Sequence, residues 1–287
     1  MRNAVLRRIF SSLATLALAG LVAATLLRFA PGFDIDEREI DSRASEETRN
    51  QIRAARDGER DIFTYYGRYL RNALRGDLGQ SRSFDVPVAG LITERLPVTL
   101  RLIALGLSTA WTFALLLALA NVAWPRTSGS LKVLTSGLLA VPAGLVALVI
   151  LLTQGPAAAG LAIALFPRLF SYARGLFQLN AATGFALAAK ARGLNASQFL
   201  GRYVVWPAGP ALLAILGLSV NAAFGGAILL ETICDLPGVG QLALQAALAR
   251  DLPLLVGMTL FVGVLTVTAN AITDLASQVI LKARGGQ

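Results

Sequence analysis

The sequence predicts an all-α membrane protein with six transmembrane helices, and three observations carry that prediction. The 287-residue chain is 55% hydrophobic and 15% charged, with a mean hydropathy of +0.62, too apolar for a water-soluble domain. Its apolar residues gather in runs of about 20, the length a helix needs to cross the hydrocarbon core. Between the first two runs, residues 29–101 hold 12 of the 26 basic and 13 of the 17 acidic residues, a composition that belongs in water.

The elements follow in order. Arg2, Arg7 and Arg8 precede the charge-free run Ile9 to Leu27. That run is longer than the apolar region of a signal peptide and lacks a small-x-small cleavage site, so it is expected to stay as the first span. Residues 29–101 then form an extramembrane segment. Within it, Ala54 to Leu74 alternates charge with Ile62, Phe63, Tyr65, Tyr66, Tyr69 and Leu70, the pattern of amphipathic helices that pack an aromatic face on the protein. Leu102 to Trp124 is the second span, ended by Pro125-Arg126, and Val133 to Leu152 is the third, with Pro142 inside it. After the turn Gln154-Gly155-Pro156, Ala157 to Phe177 is the fourth, apolar except for Arg168 and Arg174. Arg174 is near enough to the end to snorkel. Arg168 is deeper, just after Pro167; it is expected either to face the protein interior or a wet cavity, as a pathway or interface arginine, or to mark a helix that exits the membrane early. Tyr203 to Leu230, with Gly209, Gly217, Gly225 and Gly226 for close helix approach, is the fifth span. Leu252 to Thr273 is the sixth, with Asp274 at its inner end.

Charge orients the bundle. With both termini in the cytoplasm, the inner segments hold Arg2, Arg7, Arg8, Arg126, Lys132, Arg174, Lys190, Arg192, Arg202, Lys282 and Arg284 against Asp274 alone. The short outer loop holds Glu231, Asp235, Arg250 and Asp251. This is the asymmetry of the positive-inside rule, and long translocated segments such as 29–101 are indifferent to it. The expected domains are therefore 1–28, a cytoplasmic N-terminus and first span; 29–101, external; and 102–287, the membrane core.

Composition also excludes chemistry. The net charge of +9 and pI near 10.5 reflect basic cytoplasmic loops rather than nucleic-acid binding. A lone Cys234 and no histidine leave no disulfide and no zinc or haem site, so no metal is expected, and no catalytic residues are read from the spans. Lys132, Lys190 and Lys282 follow Leu, Ala and Leu, so the Gly-Lys-Ser/Thr core of a phosphate-binding loop is absent.

One cytoplasmic segment stands out, Phe185 to Pro207, between the fourth and fifth spans. It reads as a helix, a bend at Gly193 and a second helix that Asn195 or Ser197 can cap. Ala188, Ala189 and Gly193 fit the pattern Glu-Ala-Ala-x-x-x-Gly, with Leu187 at the glutamate position. In this the segment resembles the coupling segment of ATP-binding-cassette importer permeases. Three further stretches are similar to the dipeptide, oligopeptide and nickel branch of that family, and to the first of its two membrane subunits. They are Arg75-Gly-Asp-Leu-Gly-Gln-Ser81, Ile92-Thr-Glu-Arg-Leu-Pro-Val-Thr-Leu100, and Glu231-Thr-Ile-Cys-Asp-Leu-Pro-Gly-Val-Gly-Gln-Leu242 continuing to Arg250-Asp-Leu-Pro253. Leu27-Arg-Phe-Ala-Pro-Gly32 adds to them, so the resemblance covers nearly the whole chain in order. The loop between the third and fourth spans is shorter here than in the family.

The resemblance implies a bacterial inner-membrane permease subunit of a binding-protein-dependent importer, with peptide as the default substrate; nickel and other small solutes share the permease type. It implies a heterodimer with a second homologous permease, two cytoplasmic ATPase subunits that use ATP and Mg, and an external substrate-binding protein; this chain itself binds no cofactor. The coupling residues it implies, within 185–202, are Ala188, Ala189, Arg192, Gly193, Leu194, Asn195, Ser197 and Phe199. Ala188 and Ala189 would allow close approach of the ATPase, and Phe199 and Leu200 would anchor it. Glu231, Pro237, Gly238, Gly240, Arg250 and Asp251 would form an external gate or loop, and Arg168 is the candidate pathway residue. The alternative is an ion-coupled transporter, which would need ionisable groups or broken helices near mid-membrane; Arg168 and Asp274 are the candidates, with no paired acid. An exporter on the same scaffold is a further alternative, against which the large external segment 29–101 reads more naturally as a docking platform.

Overall fold

The structure is a computed structural model that describes residues 14–15, 17–26, 62–124 and 128–285. Arg2, Arg7 and Arg8, the ends of the first apolar run, the external segment as far as 61, and Pro125-Arg126 lie outside the described residues. The helices are α1 (Ala17–Leu26), α2 (Ile62–Ala73), α3 (Val88–Ala123), α4 (Ser128–Leu139), α5 (Ala143–Leu152), α6 (Ala157–Ala181), α7 (Gly184–Ala191), α8 (Ala196–Phe199), α9 (Trp206–Ile233), α10 (Val239–Leu248) and α11 (Leu252–Gly285). Among the described residues there is no strand, only an isolated bridge between Gln80 and Pro87.

Among the described residues, three helices are long and apolar enough to cross a membrane: α3, the continuous helix Ala196–Ile233 that joins α8 to α9, and Leu252–Thr273 of α11. The expected third span is not a single helix. It breaks by 88° between α4 and α5, and counting that pair as one span raises the number to four. The break has a local cause. Pro142 has no N–H and disfavours helical backbone at the residue before it, so α4 closes on the Gly137 and Leu138 carbonyls and α5 begins afresh after Pro142. α6 has the length, 25 residues, but carries Pro167, Arg168 and Arg174. The expected start of the second span, Leu102, falls inside α3, which begins 14 residues earlier at Val88.

The chain folds as two compact units, Met1–Leu96 with Leu242–Leu265, and Pro97–Gln241 with Thr266–Gln287. In the first, α2 is amphipathic, and Tyr66 and Tyr69 turn inward against Ala24, Leu252, Val256 and Leu260. Tyr66 Oη donates to the Ala17 carbonyl at 2.6 Å, and Tyr69 Oη is shared between the carbonyls of Leu78 (3.0 Å) and Pro253 (3.2 Å). The aromatic face expected of this segment therefore packs on protein, with its polar tips satisfied.

In the second unit, α3, α6 and α9 share an apolar core built around Leu161 and Phe170, with Ala110, Ala114 and Ala118 of α3 buried at four-residue spacing. Leu161 is wedged between two glycines on other helices. A Cβ on Gly106 or on Gly226 would stand 2.8 Å from its side chain, so these glycines set the approach of α3 and α9 to α6. Within the spans, polar groups pair across helices: Trp111 Nε1 donates to Ser219 Oγ at 3.0 Å, and Asn221 Nδ2 to Asn270 Oδ1 at 3.3 Å.

Candidate functional site: a bent helical segment and two loop latches

The segment between α6 and α9 has the helix, bend and helix order that its sequence predicts. Thr183 opens α7, its hydroxyl oxygen accepting from the Ala186 N–H at 3.4 Å. Gly193, at φ +76°, follows the last turn in left-handed backbone. An added Cβ there would meet nothing within 4 Å, so glycine is required for conformation and not for space. Asn195 is the cap of α8: its Oδ1 accepts the Gln198 N–H at 2.8 Å and the Ser197 hydroxyl at 3.1 Å.

The second helix departs from expectation. It is not a separate short element but the start of a span. α8 passes through a π-helical stretch, Leu200–Val205, into α9. The ladder there is short of donors, because Pro207 and Pro210 in the first turns of α9 have no N–H. Asn180, near the end of α6, reaches across and donates Nδ2–H to the Val204 carbonyl at 3.0 Å. The ends of two helices are thus tied on either side of the bend.

Exposure divides the expected coupling residues. Ala188, Arg192, Gly193, Asn195 and Ser197 lie on the open face, and Leu194 is half-buried. Ala189 is buried; it shares the inner face of α7 with Ala186, three residues earlier, and so cannot offer close approach to another protein. Phe199 and Leu200 also turn inward, packed on the core of the unit, with Phe199 stacked on Tyr203 at 6.4 Å between ring centroids. The large exposed apolar side chains are ones that the motif does not mark as contacts: Phe185 at 86% and Leu187 at 56% exposure, with Trp206 at 65% where α9 begins. Leu187 is the residue at the family's glutamate position, and an apolar side chain there in a basic segment is the signal that points to it.

The loop motifs form two latches. In the second unit, Glu231 is completely buried, and one carboxylate oxygen, Oε2, accepts the N–H of Gly240 at 2.6 Å and of Gln241 at 3.4 Å. A Cβ on Gly238 would collide with that carboxyl, and one on Gly240 would stand 2.6 Å from Ile228 Cα. The Pro-Gly-Val-Gly turn is therefore glycine-rich because it closes over a carboxylate. Thr99 Oγ1 accepts the Val239 N–H at 2.8 Å, joining the 92–100 motif to the same turn. In the first unit, Asp251 is completely buried at the head of α11. Its Oδ1 accepts the Leu254 N–H at 3.1 Å; its Oδ2 accepts the Ser81 hydroxyl at 2.5 Å and the Ser83 N–H at 2.9 Å. The 75–81 motif is thereby pinned to the 250–253 motif. Arg250 and Pro237 are exposed, and Arg250 has φ 55°, the left-handed turn that aims Asp251 inward.

Arg168 is exposed on α6 rather than buried in the chain's interior. Arg174 does not snorkel freely: its Nε donates to Asn121 Oδ1 at 3.0 Å, and Gln178 Nε2 donates to the same atom at 3.0 Å. Asn121 is 1% exposed, a polar anchor that no motif marks, although an asparagine in an otherwise apolar span is signal enough to find it. Cys234 is half-buried, its Sγ 3.8 Å from the Ala147 carbonyl. Among the described residues, no group of three or more His, Cys, Asp or Glu side chains could hold a metal ion.

Apolar helices of membrane-crossing length, joined by a capped and bent segment, define a helical multi-pass membrane protein. Residues 110–284 match the family of binding-protein-dependent transport system inner membrane components, and the chain belongs to that family. It is a membrane permease component located in the inner membrane. Relatives extend over nearly its whole length. A peptide permease protein of Brucella ovis is 26% identical, with 96% of each chain covered. The oligopeptide transport system permease protein OppB of Haemophilus influenzae is 27% identical, with 98% of each covered.

Proposed function

We infer that this chain is one of two membrane subunits of an ATP-driven peptide importer. It forms half of the translocation pathway, receives peptide from an external binding protein, and is moved by cytoplasmic ATPase subunits that use ATP and Mg. Peptide comes from the names of the relatives, which span the chain end to end. In this reading six spans place both termini in the cytoplasm, the bent pair α4–α5 serving as the third span and α6 as the fourth.

The observation that carries the coupling role is Gly193. A left-handed glycine between two capped helices holds a rigid, exposed corner at the joint of α6 and the long helix Ala196–Ile233. A groove on an ATPase that grips Phe185, Leu187, Ala188 and Arg192 would move two spans at once through that corner. Glu231 and Asp251, both buried, shape the external loops from within, leaving Arg250 and Pro237 to meet peptide or binding protein.

The test is co-expression with the second permease, the ATPases and the binding protein, followed by reconstitution in lipid vesicles. The assembly should take up a tripeptide only with ATP and the binding protein present, and this chain purified alone should hydrolyse no ATP. Uptake without ATP, or hydrolysis by the isolated chain, overturns the reading.

A further inference from the structure

α6 buries one side and opens the other. Leu169, Phe170 and Phe177 are sealed in the core, while from its midpoint onward the exposed positions are Arg168, Ser171, Tyr172, Gly175, Gln178 and Leu179. At about 100° per residue these six fall within roughly 120° of arc, a single face, and all but Leu179 are charged, polar or glycine. A polar stripe of this kind on a helix in the membrane faces water or another subunit rather than lipid.

Two groups on the stripe have no bond of their own. Ser171 Oγ donates to the Pro167 carbonyl at 2.8 Å and Gln178 holds Asn121, but Arg168 and Tyr172 make no hydrogen bond or ion pair among the described residues. Arg168 stands at the middle of α6, about 17 Å from its start at Ala157 and about 20 Å from its end at Ala181 at 1.5 Å per residue. With α6 as the fourth span of the importer reading, a side chain this far from both helix ends reaches neither interface and is not satisfied by snorkelling. A guanidinium at that depth needs an anion, and its planar donor pair matches a carboxylate in two-point contact. Tyr172, one turn further on and 54% exposed, presents a second donor to the same side.

We propose that Arg168, assisted by Tyr172, binds the carboxylate of the transported solute in mid-membrane, for a peptide its C-terminal carboxylate. This rests on the importer reading above. The guanidinium gives the anionic end of the solute a station that replaces its hydration, and the uncharged remainder of the stripe leads on toward the cytoplasmic end of α6.

The experiment uses the complete reconstituted transporter and two probes, trialanine and trialanine amide, which differ only at the carboxylate. Uptake of each probe by a variant is compared with uptake of the same probe by the unaltered protein, so that the preference of the binding protein cancels. Arg168→Gln should lower trialanine uptake about tenfold or more and leave amide uptake within about twofold of the unaltered protein. Arg168→Lys should restore most trialanine uptake. Equal loss for both probes means that Arg168 pairs with an acidic group of the assembly or serves its structure, and overturns the proposal. Uptake unchanged for both places the guanidinium off the pathway, against lipid phosphate, and overturns it as well. If the unaltered transporter takes up trialanine while Arg168→Gln has no effect, this proposal alone fails; if it takes up neither probe, the peptide reading fails and takes this with it.

Discussion

Glu231 shows how a charged residue in a motif can have a structural reason. Its carboxylate is sealed from water and holds backbone N–H groups of the turn above it, and Gly238 is the lid that fits only because it has no side chain. Gly238→Ala should therefore overpack this site and destabilise the detergent-purified subunit by about 1–3 kcal/mol, read as a lower thermal midpoint. Because the clash is with the Glu231 carboxyl, the loss should be smaller when Gly238→Ala is made on a Glu231→Ala background than on the native one, which a double-mutant cycle measures. Tyr69 gives a second handle. Burial first, then the carboxylates of Asp77 and Asp251, push its phenol well above the ordinary 10.0. A raised folded value means that the contribution of Tyr69 to stability is whole below pH 10 and fades as pH climbs from there through the raised value. Burial raises the Tyr66 phenol as well, so alkaline difference absorbance should show late-titrating phenols of which Tyr69→Phe removes one. At this scale the sequence shows which residues matter and hides the direction each faces. The motif containing Glu231 and Asp251 is plain to read, but that both point inward follows from φ at Arg250 and from the glycines' packing, which spacing alone does not encode.

In the importer reading proposed above, the bent segment is the element that the ATPases move, and it has two distinct weak points. Gly193→Pro cannot adopt φ +76°, since proline is confined near −65°, so the corner must reshape. Insertion and assembly should persist while peptide uptake per ATP hydrolysed drops about tenfold or more in reconstituted vesicles. Unchanged uptake would count against the corner as the lever. Asn180 is the other point. Its bond to the Val204 carbonyl binds the end of α6 to the π-helical stretch, so Asn180→Leu should weaken the transfer of motion between the two spans and also lower uptake per ATP, by a smaller factor than Gly193→Pro. The bend and the Asn195 cap are legible in the sequence because both are local: a glycine after a helical run, and an asparagine three residues before the N–H it caps. The π-helical stretch is half legible, since Pro207 and Pro210 stand in the sequence while Asn180, which takes up the Val204 carbonyl, lies across the bundle; the inward turn of Phe199 is not legible, because it depends on the core of the unit.

At the scale of the whole chain, the topology turns on whether α4 and α5, bent by 88° at Pro142, cross the membrane together. Parity makes the question sharp. If the pair does not cross, α6 runs in the opposite direction and the segment around Phe185 lies outside, along with Arg174, Lys190, Arg192 and Arg202. Four basic residues and no acid would then sit on the outer side, against the positive-inside rule. If the pair crosses, those four are cytoplasmic and the turn at Gln154, exposed in the structure, is external. Single cysteines on a Cys234→Ser background separate the two arrangements. Leu74, 90% exposed, reports on the segment before α3; Gln154 reports on the turn after α5; and Phe185 reports on the coupling corner. With a membrane-impermeant maleimide, Leu74→Cys and Gln154→Cys should label in intact spheroplasts, and Phe185→Cys only after the membrane is opened. Labelling of Phe185→Cys in intact spheroplasts, with Gln154→Cys protected, would make α4–α5 a hairpin that returns to its own side, and would overturn the proposed ATPase contact at 185–202.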